Sequence, residues 1–211
     1  MNTAVRATIG AFGVINTIAA FEHGLGEALQ GNTPPGGTFI LSWPNAPFFQ
    51  IHGGEPAMTL IPNLLVSGIL SMLLSLAFLA FATWYSGRAY AGPVLILISI
   101  LLLLVGGGFG PPILGLILGA ALSAATLRKL PTQGARLSGW VRFLGRQWPW
   151  LLIAGLSAWL LVFPGLNVLD YALRITLPDA LVYAVIFSAL GQLLLAVFAS
   201  LARDRVQQAK I

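Results

Sequence analysis

Four long stretches of the chain carry no formally charged residue: 56–87, 89–127, 147–169 and 180–202. Each has room for one or two helices of the roughly 20 residues needed to cross a hydrocarbon layer. Backbone inside a membrane must satisfy its own hydrogen bonds, which leaves only helices and closed barrels. Barrel strands alternate in polarity over about 10 residues, whereas Leu101-Leu102-Leu103-Leu104-Val105 is apolar throughout. The expected fold class is therefore all-α, a polytopic transmembrane helical bundle forming a single domain over 1–211. Composition agrees: 8% of residues are charged, against about 25% in a soluble domain, and the mean hydropathy is +0.88. The chain has no cysteine, which excludes disulfides, zinc thiolates and cysteine-ligated iron–sulfur clusters.

The apolar run 7–21 has the length of a signal-peptide core, but the reading taken is a retained first helix from Ala4 to about Ala28. Gln30 to Gly37, with two prolines and three glycines, breaks it. The segment from Phe39 to His52 holds Trp43, Phe48, Phe49, Pro44 and Pro47. It is too short and interrupted to span, and its aromatic rings suit an interfacial position in the first outer loop. A second helix is expected from Glu55 or Pro56 to Tyr85. Within it Ser67, Ser71 and Ser75 recur every fourth residue, as a helix-packing face or the lining of a polar path.

Residues 91–127 contain Gly106-Gly107-Gly108-Phe109-Gly110-Pro111-Pro112. Glycine costs about 1 and proline about 3 kcal/mol inside a helix, so the pattern predicts a hairpin of two short helices, either spanning or re-entrant. Gly115 and Gly119 give the second of these a small-residue packing face. Arg128, Lys129, Arg136, Arg142 and Arg146, interleaved with Trp140, Phe143, Trp148 and Trp150, read as a basic loop. A fifth helix is expected from Pro149 to Leu166, then an outer loop over 167–178 that forms a short amphipathic helix in which Asp170 and Arg174 pair at i,i+4. A sixth runs from Asp179 to Ala202.

Six helices with both termini in the cytoplasm (N-in/C-in) put every one of the 11 Lys and Arg residues except Arg174 on one side. All acids except Asp204 then lie at or near the other side. This is the positive-inside pattern, with the bacterial inner membrane as the expected location. The basic and aromatic residues of 128–150 accordingly suit anionic lipid, and no nucleic-acid partner is expected.

Both histidines fall on the acidic side, in two short groups. His23 and Glu27 are four apart, and therefore on one helical face, with Glu22 adjacent. His52 and Glu55 are three apart. Ionisable residues within a spanning segment are expensive and point to function, so Glu22, His23, Glu27, His52 and Glu55 are the candidate ligand-binding residues. Imidazole and carboxylate together suit Zn, Mn, Fe or Cu, and His23, Glu27, His52 and Glu55 are the candidate metal ligands. A haem, pigment or quinone at the same place, proton handling, and a merely structural cluster that ties down the loop are the alternatives.

The strings Glu22–Asn32, Gly53–Thr59 and Gly106–Pro112 resemble a group of bacterial multi-pass membrane proteins of unassigned activity. The resemblance covers the first four helices and carries over no functional residue. No HExxH, no GxSxG elbow and no cysteine nucleophile is present. The expected function is a non-enzymatic accessory subunit of a larger membrane complex, with lipids and other subunits or further copies of the chain as partners. A small-solute or proton-coupled transporter and an intramembrane metal-dependent enzyme are the alternatives.

Overall fold

The computed structural model describes residues 3–127 and 137–209. Among the described residues the fold is all-helical apart from one small ribbon, and five helical segments are long and apolar enough to cross a membrane. Helix α1 (Thr3–Leu29) runs through the middle. Around it stand α2 (Leu64–Thr83), the hairpin α3 (Ala91–Leu104) and α4 (Gly110–Leu127), and the pair α5 (Gly139–Leu160) and α7 (Asp179–Gln208). The short α6 (Leu166–Tyr171) follows α5. Val5, Ile9 and Phe12 of α1 share the core with Phe78, Leu95, Leu114, Leu118, Leu193 and Val197.

Close backbone approach joins α1 to α2. A Cβ on Gly24 would lie 2.7 Å from the Gly68 carbonyl, so these two helices touch main chain to main chain, as small residues permit. Ser67, Ser71 and Ser75 are fully buried there, with Ser71 Oγ donating to the Ala20 carbonyl at 3.3 Å. Gly115 and Gly119 of α4 face Ser99 and Ile96 of α3.

The second helix starts later than expected. Pro56–Met58 is not its first turn but a strand, β2, paired antiparallel with β1 (Phe39–Leu41). The helix begins after Asn63, whose side chain caps it by accepting from the Val66 N–H at 3.1 Å. The aromatic segment continues from β1 into a 3-10 turn, Pro47–His52. It folds back over the end of the bundle, where Phe49 stacks on Phe163 and Phe48 meets Tyr171 edge-on. A cap also moves the start of α5: Ser138 accepts from the Val141 N–H, so Trp140, Arg142, Phe143, Arg146 and Trp148 are helical rather than loop. Arg128, Lys129, Arg136 and Lys210 lie outside the described residues.

Beyond α5 the chain turns through Phe163 in extended conformation and Pro164 into α6. The expected Asp170–Arg174 pair does not form. Helix α6 ends at Tyr171, Arg174 takes φ 56°, and its guanidinium sits 5.5 Å from the Tyr171 ring centre. Helix α7 outruns its expected end at Ala202 because Asp204 has a partner: its carboxylate accepts from the Ala4 and Val5 N–H groups at 2.9 and 3.0 Å.

Ser86, just before α3, accepts a hydrogen bond from Arg6, while Gly106, just after it, packs on Glu27. Those two α1 residues are 21 positions apart, a rise of about 31 Å. The hairpin α3–α4 thus extends along nearly the whole of α1, although α3 itself has 14 residues.

Candidate functional site

Three elements converge on the C-terminal end of α1: the helix itself, the ribbon from Thr38 to Thr59, and the turn from Val105 to Phe109 that joins α3 to α4. Backbone hydrogen bonds fix their relation. Ser42 and Trp43 donate to the carbonyls of Glu55 and Gly54, both at 2.9 Å, which places Glu55 above α1. Gly106 donates to the Met58 carbonyl at 2.8 Å, and Thr59 bridges to Val105, which draws the turn against the ribbon.

His23 is the centre. Its Nδ1 lies 2.9 Å from the Ala19 carbonyl and 3.2 Å from Glu22 Oε2; its Nε2 lies 3.5 Å from Glu55 Oε2. Glu55 Oε1 in turn lies 3.1 Å from His52 Nδ1, without the alignment of a hydrogen bond. Glu22 is also held from above, its Oε1 accepting from the indole N–H of Trp43. Ligand atoms of Glu22, His23 and Glu55 lie within 4.8 Å of one another.

The side chain of His23 is 6% exposed, that of His52 10%, and those of Glu22 and Glu55 13%. Both ring nitrogens of His52 are buried without a hydrogen-bond partner. Glu27 is fully buried, and neither of its carboxylate oxygens has an aligned donor. Ser67 beside it is already committed, donating to the Val105 carbonyl at 2.9 Å and sharing a 2.7 Å bond with Thr59. Among the described residues the ion pairs are all His–Glu, so no lysine or arginine comes within ion-pair distance of these carboxylates.

The turn above explains the glycines. Gly106 (φ +89°) and Gly108 (φ +75°) hold left-handed backbone that side chains disfavour. A Cβ on Gly106 would overlap the Glu27 carboxylate, and one on Gly108 would overlap the Nε2 edge of the His23 ring. The glycine run is therefore both a helix break and the roof of the site.

Of the residues expected from sequence, the structure brings Glu22, His23, His52 and Glu55 together. Glu27 is one turn beyond, under Gly106, so it stands beside the cluster, and the ligand-type atoms that lie mutually close are those of Glu22, His23 and Glu55. Glu55 belongs to a turn with φ 58° and not to the start of α2. Sequence reasoning missed Trp43, read only as an interfacial ring, and the roofing role of Gly106 and Gly108. The pairing of Trp43 with Glu22 across 21 residues leaves no local signal.

No family model, curated protein or solved structure matches this chain.

Proposed function

We propose that the chain is a non-enzymatic, six-pass accessory subunit of a bacterial inner-membrane complex that holds a small polar or cationic ligand at its outer end. The single observation that carries this reading is the enclosure of Glu22, His23, His52 and Glu55 beside Glu27, with the ring nitrogens of His52 and the carboxylate oxygens of Glu27 lacking an aligned hydrogen bond. Buried polar groups in a native protein are normally paired, and ionisable groups in a spanning segment are kept for function. The sidedness rests on the distribution of cations along the sequence, and the reach of α3–α4 along α1 favours six crossings over a re-entrant pair.

The glycine turn touches Glu27 and His23 directly, leaving no place between them for a haem, pigment or quinone ring. The ligand is therefore small, and the ribbon closing over it suits retention more than turnover. Along α5 and α7, Trp150, Ile153, Leu160, Tyr183, Phe187 and Phe198 are exposed, an apolar face for lipid, another subunit or a second copy of the chain. Extraction in mild detergent with native mass spectrometry tests the reading. A ligand-bearing chain with associated subunits is expected; a lone, ligand-free chain would overturn it.

A transporter is the second reading, favoured by Asn16, which is fully buried near the middle of α1 with neither amide atom partnered. Solute or proton uptake into proteoliposomes that disappears with Asn16→Leu would support it.

A further inference from the structure

Resting on the ligand-holding reading, we infer that the ligand is one divalent transition-metal ion of the zinc class, bound by His23 Nε2, Glu22 and Glu55, with His52 3.1 Å behind Glu55.

The imidazole is already set for it. A proton on Nδ1 donates to the Ala19 carbonyl at 2.9 Å, which leaves the lone pair on Nε2; metal-bound histidines are commonly oriented by such a bond on the other nitrogen. Nε2 faces Glu55 Oε2 at 3.5 Å. Two ligands each about 2.05 Å from a tetrahedral ion are separated by about 3.3 Å, so this pair stands close to the spacing one ion imposes. The Trp43 indole holds Oε1 of the other carboxylate, Glu22, whose Oε2 lies 3.2 Å from Nδ1 and has to swing toward Nε2 to join the set.

The donor set selects the class of ion. Calcium takes 6–8 oxygens and magnesium keeps several waters, while mixed imidazole and carboxylate suit zinc, manganese or iron. Charge agrees: no lysine or arginine is paired with the two carboxylates among the described residues.

Glu55 adds a separate mark. It holds φ 58° although glycines occupy both preceding positions, so the chain keeps a carboxylate where glycine would be the easier residue.

The test uses the full chain, purified in mild detergent, stripped with chelator and titrated with Zn²⁺ and Co²⁺. Wild type is expected to bind about one ion per chain and to show a raised Tm on binding. Glu55→Gly is expected to match or exceed the stripped wild type in Tm, because it relieves the backbone, yet to bind about 100-fold more weakly or worse. Glu22→Gln and His23→Gln lose binding similarly. Wild-type binding by Glu55→Gly overturns the inference, and wild-type binding by Glu22→Gln or His23→Gln overturns the ligand set. Failure of wild type to bind either ion while it retains a co-purified organic molecule overturns the metal alone; failure with no ligand of any kind overturns the ligand-holding reading as well.

Discussion

Helix α1 meets a buried carboxylate at each end, and the two are treated in opposite ways. At its N-terminus Asp204 reaches in from α7, and its two oxygens accept from the Ala4 and Val5 N–H groups. These amides are among the four that every helix leaves unpaired, and the helix dipole favours negative charge there. At the C-terminus Glu27 is buried as deeply with only the Ser42 and Ser67 hydroxyls beside it and no aligned hydrogen bond, and Glu22 and Glu55 face an imidazole with no lysine or arginine paired to them among the described residues. The dipole at that end disfavours negative charge. Burial alone therefore does not separate a structural carboxylate from a functional one; the supply of donors does. The Asp204 end is complete within the chain, and the Glu22–Glu27 end is the one at which we propose a cation.

The largest effect that tests this contrast is at Asp204. Replacing it with alanine removes two charge-assisted hydrogen bonds worth about 1.5–3 kcal/mol each, so a loss of about 3–4 kcal/mol is expected, read as a clear drop in Tm with ion binding unchanged. A stability equal to wild type would deny that Asp204 ties α7 to α1.

Gly106→Ala comes next. A side chain at positive φ costs roughly 1–2 kcal/mol, and here its Cβ would also overlap Glu27, for about 3 kcal/mol in all. The double variant with Glu27→Ala should recover the steric part, and a double-mutant cycle measures that coupling. Strict additivity would mean that the turn does not rest on Glu27.

The smallest effect has the opposite sign. Glu27→Gln keeps the shape of a side chain that has only acceptors and gives it donors, so thermal unfolding should show a gain of about 1 kcal/mol. Destabilisation on the scale of Asp204→Ala would place Glu27 in the same class as Asp204 and remove the contrast.

Much of the bundle was legible because its signals are long. Charge-free runs and the Gly106–Pro112 break place helices and their turn with no knowledge of contacts. What failed was local detail decided by distant partners. Pro56 looked like the first residue of a helix, but Phe39–Leu41 claims Pro56–Met58 as a strand. Arg142 and Arg146 looked like loop residues, yet the hydroxyl of Ser138 starts a helix before them. Asp204 fell beyond the expected end of the last helix, because its partners lie about 200 positions away at the other end of the sequence.

The candidate site divides in the same way. Helical spacing paired His23 with Glu27 correctly as one face, but choosing between Glu22 and Glu27 as the carboxylate beside Glu55 depended on Trp43 and Gly106, which periodicity does not report. That Glu55 would occupy left-handed backbone was likewise invisible, although the two glycines before it mark a tight turn.

X-ray absorption at the zinc edge of the reconstituted full chain tests the central claim most directly. The account predicts a first shell of nitrogen and oxygen at about 2.0–2.1 Å containing histidine, present in wild type and Asp204→Ala and gone in Glu55→Gly. A spectrum without histidine scattering, or the same histidine-containing shell in Glu55→Gly, would contradict it.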